Sequence, residues 1–398
     1  MEKLFKLREN NTNVKTEIIA GVTTFMTMAY ILIVNPNILS FTGMDRNAVF
    51  TATALSSAIA TILMAFMANY PVALASGMGL NAYFAYVVVG QMGYSWQIAL
   101  TAILIEGIIF VILTLFRFRE AIINSIPANV KYGITVGIGL FITFIGFQNA
   151  GIIINNDATL VSLGNLKSIT VILSIIGILI TTLMVHKKVK GALLWGILVT
   201  YVLGIICQLT GLYAVDEAIN RFSLIPTKII DLPPSVAPIF CQFDFKGAFA
   251  LGANFLVVMF AFLFVDLFDT VGTLIGVGSK ANLLDKEGKL PKAKEALMAD
   301  AIGTVAGAAL GTSTVTSYVE SAAGVAEGGR TGLAALTTAA LMIIALIFSP
   351  ILTIIPSFAT APALILVGLF MVSAISRIDF TEDFTEALPA FLAMIVMP

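Results

Sequence analysis

GTSTVTSYVESAAGVAEGG, residues 311–329, lies between long apolar runs, yet it carries two carboxylates, six serines and threonines and almost no large apolar side chain. Whether such a segment sits in a loop or at membrane depth decides the fold. Its surroundings point to depth. Of the 398 residues, 59% are apolar and 11% charged, whereas soluble domains carry about 25% charged residues; mean hydropathy is +0.99. Runs of about 20 apolar residues, the length that crosses a bilayer as a helix, follow one another along the chain. The fold class is therefore an all-α polytopic membrane protein, and the quoted segment falls inside its tenth span.

The spans expected are 17–40, 48–67, 72–90, 96–116, 128–150, 168–186, 191–212, 247–277, 295–311, 312–327, 331–349, 358–376 and a last one opening at 389, with amphipathic surface helices over 118–127 and 377–388. Residues 1–16 are charged and polar, show no small-residue cleavage site, and are expected to form a cytoplasmic N-terminal segment rather than a signal peptide. With that end inside, the positive-inside rule is satisfied: of the 22 basic residues, only Arg46, Lys167, Arg221, Lys228 and Lys246 fall outside. Seven spans precede the loop 213–246, which holds Pro226, Pro233, Pro234 and Pro238. An odd number inverts the second half relative to the first, the inverted-repeat plan of many transporters. A second half as long as the first would extend past Pro398, so the chain reads as truncated at its C-terminus, with about 12–13 of 14 spans present.

Other function classes find no support. A net charge of -1 and the lack of a basic patch with interleaved aromatics argue against nucleic acid as a partner. Cys207 and Cys241 have no metal or redox spacing and are expected to be buried and inert. No metal or cofactor is expected. The single histidine, His186, abuts Lys187 and Lys188 at the inner boundary and fits an interface residue better than a proton relay.

Irregular backbone at membrane depth occurs only where protein or a water-filled cavity surrounds it. TSTVTSY, 312–318, is rich in β-branched residues and is expected to be extended; a short helix should then begin near Glu320, mid-membrane, with its positive dipole end exposed. Span 3 shows the same break: VALASGMG, 72–79, is small and Gly-rich, and LNAYFAYVVV, 80–89, suits a half-helix starting at Asn81. Two broken spans in matching positions of inverted halves point to a substrate site, although small residues also serve close helix packing. Span 8 adds Asp266, Asp269, Thr270 and Thr273 on one helical face, where two carboxylates need a cavity or partners; a structural pair bonded to hydroxyls is the alternative. Glu106 is expected to bond a neighbouring helix, Asp300 to sit near a helix N-terminus, and Glu327 and Arg330 to pair or cap at the membrane edge.

The same residues carry a resemblance. EIIAGVTTFMTMAYILIVNP (17–36), ASGMGLNAYFAY (75–86), VDLFDTVGTL (265–274), ADAIGTVAGAALGTSTVTSYVESAAGVAEGGRTGL (299–333) and DFTEALPAF (383–391) resemble the nucleobase:cation symporter-2 family, in its AzgA-like branch of adenine, guanine and hypoxanthine permeases. The resemblance implies a uracil/xanthine permease-like fold of seven plus seven inverted spans, with short strands in spans 3 and 10. It implies a core domain of residues 17–116 (spans 1–4) and 247–349 (spans 8–11), and a gate of 117–246 and an incomplete 350–398. It also implies substrate binding by Asn81, Asp266 and Glu320, with Gly79, Ser321 and Asp269 as sensitive neighbours.

The expected function is import of purine nucleobases across the plasma (inner) membrane, with no enzymatic activity. Glu320 would accept from ring N–H groups and Asn81 would bond another edge. A carboxylate in a low-dielectric site favours its protonated form, so Asp266 or Asp269 is the expected proton carrier; Na+ is the second choice of coupling ion. Lipid is the surrounding partner, and a homodimer through the gate is a further expectation. Two alternatives are an anion transporter of the same architecture, whose ligand the carboxylates would repel, and an intramembrane aspartyl protease, which needs its two aspartates on different spans.

Overall fold

The computed structural model describes residues 2–116, 127–216, 221–285, 290–381 and 384–396. The surface helix expected over 118–127 falls almost wholly outside them, as do Arg117, Arg119, Lys286 and Lys289. In chain order the principal elements are α1 Val14–Met28, α2 Ile31–Ser40, α3 Arg46–Met67, β1 Leu74–Ser76, α4 Met78–Ala82, α5 Trp96–Leu115, α6 Ala128–Asn149, β2 Ile153–Asn156, β3 Leu160–Leu163, α7 Ile169–His186 and α8 Ala192–Leu209. There follow α9 Ala253–Lys280, α10 Ala293–Leu310, β4 Val315–Ser317, α11 Ser321–Ala326, α12 Gly332–Ala345, α13 Ser357–Val372 and α14 Phe384–Val396. Side-chain caps start several of them: Asn13 accepts from Thr16 N–H (3.0 Å) and Asp45 from Ala48 N–H (2.7 Å), satisfying first-turn donors that have no intrahelical acceptor.

Among the described residues, nine helices are long and apolar enough to cross a membrane. The chain is a multi-pass membrane protein. Four further segments expected as spans fall short for visible reasons. Spans 3 and 10 are each part strand and part short helix. α10 is rich in alanine and glycine and carries Lys294, Glu295 and Asp300, and α14 has 13 residues. α14 also corrects an expectation: it begins at Phe384, so no separate surface helix fills 377–388, and Pro389 lies inside the helix rather than opening it. Proline is best tolerated in a first turn, which is why its position suggested a start.

The chain divides into two compact units, residues 1–125 with 232–349 and residues 126–231 with 350–398. The first holds α1–α5 and α9–α12. At its centre β1 and β4, each from a broken span, pair antiparallel in the register Leu74↔Ser317, Ala75↔Thr316, Ser76↔Val315. This is the fold read from the sequence, an inverted repeat whose spans 3 and 10 carry short strands. Gly311 makes the turn into β4 possible: it ends α10 at φ +92, a left-handed conformation that a residue with a Cβ adopts only at a cost. The second unit holds α6–α8, α13, α14 and a hairpin, β2–β3. Cys241, expected to be buried, is exposed, and Cys207 is partly buried.

Candidate functional site

The two strands fix where polar side chains emerge in the first unit. Every residue from Leu74 to Ser76 and from Val315 to Ser317 is buried, so the hydroxyls of 312–317 must find partners inside the protein. They do. Thr312 Oγ1 accepts from Asn35 Nδ2 (2.9 Å) and bonds Ser76 Oγ (2.9 Å). Thr314 donates to Glu106 Oε2 (3.1 Å) and Thr316 to Asp269 Oδ2 (3.3 Å). Ser313 donates to Asn81 Oδ1. Glu106 thus bonds span 10 across from its own helix.

Glu320 sits at the cap position of α11, where it was expected, and Tyr30 O–H donates to its Oε1 at 2.6 Å. The first N–H groups of α11 are not free, however. Those of Ser321, Ala322 and Ala323 bond the carbonyls three residues back, at 3.1, 3.0 and 2.9 Å, so they are occupied by a tight 3₁₀-like turn. Ser321 Oγ accepts from Ala73 N–H (3.0 Å), tying α11 to the approach to β1. On the other side, α4 starts at Met78, three residues before Asn81, because Gly77 already caps it. Gly79 is its second residue and is half-buried. Its first intrahelical bond runs from Asn81 N–H to Gly77 C=O (2.8 Å), leaving the N–H groups of Met78, Gly79 and Leu80 ahead of the ladder. Asn81 is 0% exposed and, among the described residues, its Nδ2 has no hydrogen-bond partner.

On α9, Asp266 and Asp269 point to different partners. Asp269 meets Thr316 of the strand, whereas Asp266 Oδ1 accepts from Thr270 Oγ1 (3.2 Å), which also contacts Asp300 Oδ1 (2.8 Å). Asp300 is therefore not a helix-terminal acid. It is the eighth residue of α10 and fully buried. Arg330 caps the end of α11, donating to Val325 C=O (2.8 Å) and Gly329 C=O (2.7 Å).

Three participants had escaped the sequence reading. Tyr30 looked like one more aromatic in an apolar run, Ser313 like one hydroxyl among six, and Glu17 like the charged edge of span 1. Glu17 is fully buried and accepts from the N–H groups of Arg330 (2.8 Å), Thr331 (3.2 Å) and Ala334 (3.2 Å), at the start of α12. A cavity of about 470 Å³ in this unit lies elsewhere, lined by Glu9, Asn13, Thr16 and Asn282 among others.

Comparison with known proteins gives the family and the fold. The family described as "Permease family" matches residues 15–398. The adenine permease AdeP of Escherichia coli is 46% identical over 398 residues, 100% of this chain and 86% of that one. The guanine/hypoxanthine permease PbuG of Bacillus subtilis is 47% identical over 407 residues, 100% of this chain and 89% of that one. Among solved structures, the transmembrane domain of a cyanobacterium bicarbonate transporter, BicA, superposes with a TM-score of 0.72 over 97% of this chain and 95% of that one. At 16% identity, that likeness speaks for the fold alone. A whole-length family match, joined to relatives that share nearly half of their residues with it, places this chain in the Permease family, as its resemblance to nucleobase:cation symporter-2 proteins implied.

Proposed function

We propose that this protein imports purine nucleobases, among them adenine, guanine and hypoxanthine, by proton symport. One combination carries the reading: a carboxylate acceptor held by Tyr30 at the start of α11, and a buried, unpartnered amide donor on α4. A purine presents ring N–H groups beside ring acceptors, so it needs both. Glu320 accepts from a ring N–H through the carboxylate oxygen that Tyr30 leaves available, and Asn81 donates to another edge. Gly79 allows the backbone of α4 to approach the base, and Ser321 holds α11 in place. AdeP and PbuG, whose names give purines as their substrates, favour the same ligand class.

Asp266 and Asp269 are the proton-coupling pair. A hydroxyl has one proton, so Thr270 can donate to Asp266 or to Asp300 at any moment but not to both. Asp269, one turn further along α9, accepts from Thr316 of β4, which places the second carboxylate of the pair against the strands. We assign residues 17–116 and 247–349 to a core that carries the site, and 117–246 and 350–398 to a gate through which the protein dimerises. The N-terminus lies in the cytoplasm and the protein in the plasma membrane. An anion such as bicarbonate is disfavoured as the cargo because Glu320, Asp266 and Asp269 would repel it.

Calorimetry on the purified protein tests the ligand class. Adenine, guanine or hypoxanthine should give a saturable heat of binding that bicarbonate and sulfate do not. Saturable binding of those anions with none of a purine would refute the reading.

A further inference from the structure

We propose that Ser313 sets ligand specificity by orienting Asn81, an inference that rests on the nucleobase reading above. An asparagine amide offers an acceptor on one end and two donors on the other, so what it reads depends on what fixes its rotation. Ser313 and Asn81 are both 0% exposed, and they come from different broken spans. The serine is held rigidly, since both of its neighbours are tied down. Thr312 is bonded by Asn35 and Ser76. Thr314 donates to Glu106 and accepts at its carbonyl from Gly77 N–H (3.0 Å).

From that fixed position the Ser313 hydroxyl donates to Asn81 Oδ1, and Nδ2 is left as a buried donor without a protein acceptor. A buried donor of this kind is costly unless something accepts from it. The ligand edge at Asn81 is therefore a hydrogen-bond acceptor, either a ring nitrogen lone pair or an exocyclic oxygen. Ser313 touches no ligand in this scheme; it is a positioning residue that closes off the alternative rotation, in which Asn81 would accept.

Selectivity, rather than affinity, tests this. Hypoxanthine is compared by calorimetry with its 3-deaza and 7-deaza analogues, in which a ring nitrogen becomes C–H, and with the 6-thio analogue, whose sulfur is a weak acceptor. Wild-type protein should bind one of the three at least tenfold more weakly than hypoxanthine. In Ser313→Ala, where the amide is free to turn, that ratio should shrink to less than about threefold. Ser313→Cys, which keeps the volume but weakens the donor, should shift the ratio the same way and supplies the reading should the alanine variant fail to fold. Equal binding of all four ligands by wild type, an unchanged ratio in the variants, or an equal loss for every ligand would each overturn the role of Ser313. Wild-type protein that binds none of the four overturns the nucleobase reading, and this inference with it.

Discussion

Glu320 is a carboxylate in the middle of a span, and its cost is offset by Tyr30, whose hydroxyl donates at 2.6 Å. Charge-assisted bonds of that length are among the stronger ones in proteins, so Tyr30 both stabilises the carboxylate and fixes its direction. Replacing the acid by its amide leaves the shape but turns an acceptor into a donor facing a donor, a mismatch of about 1–3 kcal/mol. Glu320→Gln should therefore bind purine at least tenfold more weakly by calorimetry, at an unchanged melting temperature. Asp266, by contrast, is bonded to Thr270 and lies next to the buried Asp300. Asp266→Asn should keep measurable purine binding while losing the ability to concentrate substrate against a gradient in vesicles. Glu320, Asp266 and Asn81 were legible in the sequence because each is a polar residue inside an apolar run, where its presence needs a reason. Tyr30 gave no such signal, because a tyrosine in YILIV passes for a packing aromatic. Asp300 misled because Lys292, Lys294 and Glu295 made the membrane boundary look close, whereas α10 begins at Ala293 and carries Asp300 two turns inward.

The two broken spans are held by close backbone approach rather than by large side chains. α11 packs on α1 through Gly324, where a Cβ would stand 2.2 Å from Thr24 Oγ1 and 2.5 Å from the Ala20 carbonyl oxygen. The second neighbour is backbone and cannot move aside as a side chain does. Gly324→Val should accordingly lower the melting temperature of the purified protein, with the cost of about 1–3 kcal/mol typical of overpacking. Glu17 acts at the far end of the same joint, placing negative charge at the N-terminus of α12, where the dipole and three N–H groups favour it. Glu17→Gln should destabilise by about 1–3 kcal/mol, read as a lower thermal midpoint, because an amide cannot accept all three bonds. The strand in span 10 was legible from the β-branched run TSTVT, since those side chains suit an extended, half-buried backbone. The start of α4 was not: the half-helix was expected to start at Asn81, yet glycine at position 77 serves as the cap and lets the helix begin at Met78. Strand pairing between residues some 240 apart in sequence, as in Leu74 with Ser317, was expected only through the family resemblance.

At the scale of the whole molecule, a membrane fold with an inverted repeat carries the candidate site, whose acceptor at Glu320 and donor at Asn81 suit the proposed purine. The span count followed from hydropathy: among the described residues nine of the thirteen expected spans are helices long and apolar enough to cross a membrane, and spans 3 and 10, which are not, meet at β1 and β4. The hairpin β2–β3 escaped notice because four-residue strands leave little alternation to detect. The proposed coupling belongs to this scale too, since a carried proton would have to cross with the base. The most direct measurement is uptake of labelled hypoxanthine into vesicles reconstituted with the protein, as the outer pH is lowered from about 8 to about 6, a range in which buried carboxylates can titrate. Accumulation above the outer concentration should rise as the outer pH falls, collapse with a protonophore, and be competed by unlabelled adenine or guanine but not by bicarbonate. Uptake that ignores pH and purines, or that bicarbonate blocks, would contradict the account.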